Sequence, residues 1–384
     1  MPVSNPSAFP PPRSGDQIVS INAGKNYVGA RSFLAGQSAG DNSTLTDIIV
    51  IGDEALSSGP TAAQLTGTIA IGSQALKSLL GIDSAGRSPV GNTVLGFNAA
   101  TSLQYGGANT VIGANALQDA VGLSSGGNAG MTIVGANAAQ NITGTSSSNV
   151  TIVGFNSAVS DTGIPVSATL AGVVMVGSAI ATSLVAGTEL TDCVVIGANA
   201  GANLGSSVTN SLNTVLIGPS AGASITSATN TVLIGDAGSP GISTHNVGVG
   251  SGAAVGQSYC TVLGAAAGSS GTPGNNCVLI GAGAGSTAAV GANAFIVETI
   301  DAVPTQRSMF YGDMGTGCLI VGDSNASTRD IATIGGQNIL KLLNGAKGSG
   351  SITPPVGGGF FYVDVVTGLH WVGTSGTDTV LAPQ

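Results

Sequence analysis

Side chains that could do acid–base or metal chemistry are few in this chain, and they are not grouped. There are two histidines: His245 lies in the turn-like stretch SPGISTHN, and His370 precedes the single tryptophan, Trp371. A catalytic triad or a zinc site needs partner side chains at short range, and the sequence places none beside either histidine. The pattern therefore predicts no catalytic role for them, no metal site and no cofactor.

The carboxylates are scattered along the chain and are not paired. Hydrolysis of a glycan requires two carboxyl groups that face each other across a cleft, and the repeat region also has almost no aromatic side chains that could hold a sugar. The adjacent Asp53 and Glu54 are typical of a solvated turn. We therefore predict that the chain is not an enzyme. The scattered acidic residues include Asp53, Glu54, Asp83, Asp119, Asp161, Glu189, Asp192 and Asp236.

Four cysteines lie at Cys193, Cys260, Cys277 and Cys318. Each precedes a repeat-type glycine by four residues, and a zinc site would need more ligands at closer spacing than these cysteines offer. Free cysteine packs as a small apolar residue, so we expect these side chains to be buried, and no disulfide framework is implied. Cys260 and Cys277 belong to consecutive copies of a repeat and are expected to stack; a contact around a symmetry axis stays open as an alternative.

Glycine clusters at 247–252 and 281–286 resemble the phosphate-binding fingerprint of dinucleotide sites. That fingerprint requires a helix to begin directly after the glycines. Here the clusters return with the repeat and open no helical pattern, so we interpret them as corners of the chain.

Most of these residues lie in a region built from one repeat, a short aliphatic run closed by glycine that returns about every 20 residues. Self-similarity at such a short period predicts a solenoid of stacked coils. Glycine is suited to a corner with positive φ, and alanine follows three residues later in most copies. The thirteen repeat glycines are Gly52, Gly72, Gly96, Gly113, Gly135, Gly154, Gly177, Gly197, Gly218, Gly235, Gly250, Gly264 and Gly281.

Within the repeat, two positions are constant and the position between them varies. The residue before the glycine is always Ile, Val or Leu, and the residue two positions earlier is always β-branched; these two share one face of a strand. The middle position includes Ala70, Met175 and Gly248. We expect the constant pair to face the core, and the middle residues to form a second apolar face that association along the shaft hides: Val50, Val111, Ile133, Leu216, Leu233 and Leu279. A monomer with both faces inside is the alternative.

Composition and charge narrow the function classes. The 384 residues include 62 glycines, with 42% hydrophobic and only 7% charged residues, which is typical of packed β-coils and not of disorder. Net charge is −9, and between residues 38 and 306 the only cations are Lys77 and Arg87. Nucleic acids and anionic membranes need clustered cations, so neither is an expected partner. No apolar run is long enough for a membrane helix, and residues 1–17 do not read as a secretory signal.

Changes in composition predict four regions. Residues 1–31 form an extended N-terminal arm, and residues 32–290 form the all-β repeat shaft, a parallel β-roll or β-helix of short coils. Residues 291–347 form a β neck, in which NILKLLN reads either as one helical turn or as a strand. Residues 348–384 form a Gly/Pro linker and a small C-terminal β-hairpin module. Thirteen coils at about 4.8 Å each would give a shaft of roughly 60 Å.

The repeat unit N-x-V-x-I-G-x-x-A is similar to the head repeats of trimeric autotransporter adhesins. It is closer to the NTxIGxxAL-type repeats of tailed-bacteriophage tail fibres, and the last residues, YVD…LHWVGTSGTDTVLAP, resemble a short module of phage structural proteins. The resemblance covers about three-quarters of the chain. The matching repeats are 70–76, 109–117, 194–201, 213–222 and 230–238.

The resemblance implies a homotrimeric fibre of left-handed β-rolls on a tailed-phage virion, with the N-terminal arm docked to other virion proteins. It also implies contact with a glycan or protein of the host surface. Two alternatives remain: a bacterial surface adhesin, disfavoured by the expected lack of a signal sequence and membrane anchor, and a polysaccharide-degrading spike. Candidate receptor contacts are Lys77, Arg87, Tyr105, Tyr362, His370 and Trp371, although the C-terminal aromatics could instead form the core of their own hairpin.

Overall fold

The computed structural model describes residues 17–19, 28–41, 44–58, 64–79, 89–119, 129–140, 148–159, 169–182, 189–204, 211–238, 242–256, 258–269, 273–286, 290–299, 307–313, 318–321, 340–342, 360–364, 368–372 and 378–382. Every regular element among these residues is a β-strand, and parallel strands stack as a β-solenoid. The predicted all-β solenoid is therefore confirmed. The chain divides into two compact units, Met1–Ile234 and Gly235–Gln384, which are described separately.

In the first unit the strands are short and most have three residues. They are β1 Gln17–Val19, β2 Val28–Ala30, β3 Phe33–Ala35, β4 Thr44–Thr46, β5 Ile49–Ile51, β6 Gln64–Thr66, β7 Ile69–Ile71, β8 Thr93–Leu95, β9 Thr110–Ile112, β10 Thr132–Val134, β11 Thr151–Val153, β12 Thr169–Ala171, β13 Val174–Val176, β14 Glu189–Thr191, β15 Val194–Ile196, β16 Ser211–Leu212, β17 Val215–Ile217, β18 Ser227–Thr229 and β19 Val232–Ile234.

The second unit continues the repeat and then changes pattern. Its strands are β20 Ile242–Thr244, β21 Val247–Val249, β22 Thr261–Leu263, β23 Val278–Ile280, β24 Ala294–Thr299, β25 Arg307–Asp313, β26 Cys318–Val321, β27 Leu340–Leu342, β28 Phe360–Asp364, β29 Gly368–Val372 and β30 Asp378–Ala382. Strands β21 to β24 are parallel, whereas β24, β25 and β26 pair antiparallel. The NILKLLN segment contains the strand β27, and β28, β29 and β30 pair antiparallel.

Strands of the repeat pair in register, each with the same position of the next coil. In the first unit Ile51 pairs with Ile71, Ile71 with Leu95 and Leu95 with Ile112. The segment at 32–40 joins this ladder as an irregular first coil, because Phe33 pairs with Ile49. In-register parallel pairing places like side chains above one another at about 4.8 Å.

The assignment of inner and outer faces from sequence is wrong. The middle residues are fully buried within their own chain: Val50, Val111, Ile133, Leu216, Leu233 and Leu279 have 0% exposure. The constant pair points outward, as in β5, where Ile49 and Ile51 flank buried Val50. A three-residue strand can turn only one side chain inward between its two outward ones, and the narrow coil has room for that single residue plus the alanines.

The small residue after each corner completes the core. Ala55, Ala75 and Ala116 lie three residues after a repeat glycine and are fully buried. Larger residues, such as Leu56 and Leu76, fill the interior at the following position. The small cross-section of the coil therefore explains both the recurrent alanine and the variable middle position, because each coil divides one fixed volume among a few side chains.

The repeat glycines form the predicted corners, with φ values such as +137° at Gly113 and +143° at Gly177. Only glycine adopts this region readily. A close contact between coils adds a second requirement: a Cβ on Gly177 would lie 2.6 Å from the carbonyl oxygen of Gly197, the repeat glycine of the next coil. Backbone therefore stacks on backbone at this corner, and no side chain fits.

We predict that Gly113→Ala lowers the free energy of unfolding by about 3 kcal/mol or more, because it combines a strained φ with a clash against the backbone of Gly135. Gly91→Ala is the matched control. Gly91 has φ +71° with open space around it, and Ala108 occupies the equivalent turn at φ 56°, so the loss should stay near 1 kcal/mol. Urea unfolding followed by circular dichroism measures both, and equal losses would contradict the stacking requirement.

Candidate interaction surface

The outward pair of each strand leaves apolar side chains in solvent. Ile112 is 39% exposed, Val176 is 38% exposed and Ile234 is 39% exposed, although each is the constant residue before a repeat glycine. In-register pairing lines these residues up, from Ile51 to Ile234 in the first unit. We call this set of outward residues, at the first and third positions of the main strands, the aliphatic ladder; its third position is always aliphatic, whereas its first position is threonine in several strands, such as Thr93 and Thr110.

The ladder of the first unit is a large apolar surface. At about 4.8 Å per strand it is about 45 Å long, and the two outward positions of a strand are about 7 Å apart. A strip of about 45 Å by 10 Å covers on the order of 450 Å², the size of the largest and often functional patch of a typical monomer, and threonines interrupt its aliphatic side chains only at the first position. Scattered exposed aliphatics need no explanation, but a continuous ladder does.

In four consecutive coils, the turn that follows the repeat glycine carries an asparagine, and these asparagines form a polar ladder. Asn98 donates through Nδ2 to Oδ1 of Asn115 at 3.4 Å, Asn115 to Asn137 at 3.2 Å, and Asn137 to Asn156 at 2.9 Å. These asparagines have φ values of 51–56°, the left-handed conformation that asparagine tolerates. The turn therefore presents amides that bond to one another, so the aliphatic ladder has a polar neighbour.

A buried position precedes each main strand, and in several coils it holds a polar side chain that ties consecutive coils together. Asn92 accepts from the backbone N–H of Asn109 through Oδ1 at 3.1 Å and donates through Nδ2 to the carbonyl of Gly106 at 3.1 Å. In another coil Thr214 donates to the carbonyl of Ala228 at 3.1 Å. Cys193 takes the same position, is buried as predicted, and donates to the carbonyl of Ser211 at 3.5 Å. Hence Asn, Thr and Cys are interchangeable donors here.

Of the predicted receptor contacts, Lys77 has the clearest surroundings. Its Nζ lies 2.7 Å from Oε2 of Glu54, which also accepts from Gln74 at 2.9 Å. The pKa of Glu54 is lowered by the hydrogen bond and charge of Lys77 and by the Gln74 bond. Both groups are solvated, so the pair contributes little stability. Lys77 thus bridges two coils, which accounts for it without a receptor.

The other predicted contacts are less defined. Tyr105 is half-buried, and Arg87 lies outside the described residues. Tyr362 pairs with His370, and Phe361 with Trp371, across the antiparallel strands β28 and β29, but the side chains of these strands lie outside the described part. No contact with a receptor is shown for any of them, so their role stays a prediction.

Exposed aromatics were missed from the sequence. Phe97 and Phe155, each directly after a repeat glycine, are 56% exposed. In the second unit His245 stacks on Tyr259 of the next coil, with ring centroids 4.7 Å apart and planes 13° from parallel. The sequence could have revealed these aromatics from their places in the repeat. Phe97 and Phe155 directly follow a repeat glycine, and His245 and Tyr259 precede one by five residues; both positions point away from the core.

Among the described residues, no cluster of three or more His, Cys, Asp or Glu could hold a metal ion. The same residues include no helix able to cross a membrane. Comparison with protein-family models, with curated proteins and with solved structures finds no match to the chain.

The two faces of a strand predict different responses to threonine. Val111→Thr places a hydroxyl in a fully buried site and should lower the free energy of unfolding by about 1–3 kcal/mol. Ile112→Thr changes the adjacent outward residue, which its own coil does not bury, so the cost within one chain should be about 0.5 kcal/mol or less. Urea unfolding of the two variants and the wild type, at protein concentrations below those at which copies associate, checks this; a larger loss for Ile112→Thr under these conditions would show that the faces are assigned wrongly.

Proposed function

We propose that this chain is a structural fibre subunit of a tailed-phage virion, assembled as a parallel homotrimer whose aliphatic ladders meet at the central axis. The observation that carries this proposal is the exposure of Ile, Val or Leu at the residue before the repeat glycine, where every copy keeps an aliphatic side chain. The virion assignment rests on the resemblance of the repeat and of the C-terminal segment to phage fibre proteins.

Internal repetition supports an interface at the ladder. The coils repeat one motif, so each position can be compared from coil to coil. The buried middle residue of the strand varies widely in size, from Ala70 to Met175. The outward residue before the glycine does not vary in the same way, although its own chain leaves it partly in water. A position that stays aliphatic without being buried by its own chain is best explained by burial against another molecule.

The partner is best matched by another copy of the same chain. The ladder repeats at the strand spacing of about 4.8 Å, and a parallel copy presents the same spacing in the same order, so aliphatic residues can interdigitate along its length. Lysine and arginine are almost absent from the repeat region, which leaves no charge pattern to select a different protein. Three copies suit a strip only two residues wide, because three narrow strips can converge on one axis.

A fibre of this kind performs no chemistry. The exposed groups support a role in which the trimer holds an N-terminal arm at the particle and a distal region near the host surface. Phe97, Phe155 and the His245–Tyr259 stack are the described aromatics best placed to add receptor contacts, since exposed aromatic side chains are common anchors of binding sites. The receptor would be a surface glycan or protein of the host.

Native mass spectrometry of the purified chain should give three times its 36.8 kDa mass. The double variant Ile112→Lys with Val176→Lys should dissociate the trimer, because six lysines would be brought to one axis. The control is Ala114→Lys with Ser178→Lys, at exposed positions two residues further on, where Asp53 and Asp236 show that charge is tolerated; it should stay trimeric. A monodisperse wild-type monomer would overturn the proposal.

Location on the virion has a separate test. Gold-labelled antibody against the chain should mark fibres on intact particles, and the same antibody Fab should reduce adsorption of the particles to host cells. Label confined to a bacterial cell surface would favour the adhesin alternative. Release of oligosaccharide from host capsule by the purified protein would instead support a polysaccharide-degrading spike.

A further inference from the structure

Two cysteines of the second unit occupy the same position of consecutive coils. Thr261 pairs in register with Val278, so the preceding residues Cys260 and Cys277 are stacked, as the sequence predicted. The backbone N–H of Thr261 donates to the carbonyl of Cys277 at 2.8 Å, which fixes the two coils directly at this point. Both cysteines are free and almost fully buried, with 1% and 0% exposure.

The surrounding backbone holds both thiols in place. Cys260 Sγ donates to the carbonyl of Gly274 at 3.1 Å, and Cys277 Sγ donates to the carbonyl of Gly291 at 3.1 Å. The neighbouring thiol of Cys277 lowers the pKa of Cys260, and the thiol of Cys260 in turn raises the pKa of Cys277. Gly256 lacks a Cβ where one would approach Cys260 Sγ to 2.8 Å, so the backbone closes over this thiol.

Cys193 provides an internal comparison. It occupies the same repeat position, is buried, and donates to the carbonyls of Thr191 and Ser211. The residue stacked on it in the next coil is Thr214, because Val194 pairs with Val215. Burial raises the pKa of Cys193, whereas the pKa of Cys260 is lowered by its neighbouring thiol. Cys193 is therefore a single buried thiol at the repeat position that the stacked pair also occupies, and it serves as an internal control.

We propose that Cys260 and Cys277 form an oxidisable dithiol that closes a disulfide between consecutive coils in the presence of a hydroperoxide. Adjacent strands are about 4.8 Å apart, which falls within the Cα separation of about 4.4–6.8 Å that a disulfide spans. Both side chains leave the backbone at the same repeat position, so closure needs rotation about the two Cα–Cβ bonds, which brings the sulfurs toward each other.

The reaction proceeds in two steps. Hydrogen peroxide is close to water in size and reaches the buried pair when the coil opens locally. The thiolate of Cys260 then attacks one oxygen of the peroxide; an S–O bond forms, the O–O bond breaks, and hydroxide leaves and is protonated to water. The sulfur of Cys277 then attacks the sulfur of this sulfenic acid; the S–S bond forms, the S–O bond breaks, and a second water leaves with the thiol proton. In sum, two thiols and one peroxide give one disulfide and two waters. The bond would join two coils across 17 residues of sequence (277 minus 260).

The test treats the folded full-length protein with hydrogen peroxide and maps its peptides by mass spectrometry without reduction. We expect a Cys260–Cys277 linked peptide that is two hydrogens lighter than the free pair and is reversed by a reductant, with Cys193 unlinked. The oxidised protein should also unfold at a higher temperature than the reduced protein, because the bond restricts the unfolded chain.

Cys277→Thr is the matched variant, since Thr214 shows that threonine keeps the donor at this position. It should lose the linked peptide and leave Cys260 as a sulfenic acid that dimedone traps. The proposal is overturned if wild-type Cys260 and Cys277 stay unlinked under peroxide that oxidises the thiols of the urea-unfolded chain. It is also overturned if either cysteine links to another copy or to a different cysteine.

Discussion

The contact between glycines of successive coils is the constraint on which the rest of this structure depends. At each repeat corner the backbone of one coil rests on the carbonyl of the next, as Gly177 does on Gly197. That contact excludes any side chain and keeps every coil in the same register as its neighbour. In-register strands then follow, since the residues before the glycine must pair with their equivalents in the adjacent coil.

In-register stacking makes each repeat position a ladder, and the ladders have different physical properties. The middle position of the strand and the alanine after the corner form the core. The residue before the strand is buried, and where it is Asn92, Thr214 or Cys193 it donates to a carbonyl of the next coil. The turn after the glycine carries asparagines that bond to one another. The outward strand position before the glycine carries an aliphatic side chain, which the chain by itself leaves partly in water. A ladder of this kind offers extended, repeated contact to another molecule.

The same stacking explains how pairs of side chains that can react or stack come together: consecutive coils must carry suitable residues at the same repeat position. Two cysteines become a pair only because consecutive copies both place one at the buried donor position. His245 and Tyr259 form a stack for the same reason. In a globular fold, residues that are 14 or 17 positions apart in sequence have no reason to touch, whereas here such spacing is a full coil and brings them into contact.

The sequence by itself determined the class of fold, the corners and the stacking of like positions. The recurrent glycine requires a positive φ whatever the surroundings, and a fixed period requires neighbouring coils to repeat their contacts, so Cys260 over Cys277 could be predicted from spacing. It also indicated the strands of the second unit, because apolar runs between turns are local signals. The exposed Phe97 and Phe155 were within its reach once the repeat position was considered.

Only the tertiary structure decided which face of each strand is inside. Alternation within a three-residue strand separates two faces, but it cannot say which one the chain encloses, and both are apolar in residues such as Val50 and Ile51. The interior is set by the width of the closed coil, which admits one side chain per strand beside a buried alanine. Width depends on how the following turns close the coil, and that closure comes from left-handed residues such as Glu54 and Leu56, whose conformations are decided by packing and not by residue type.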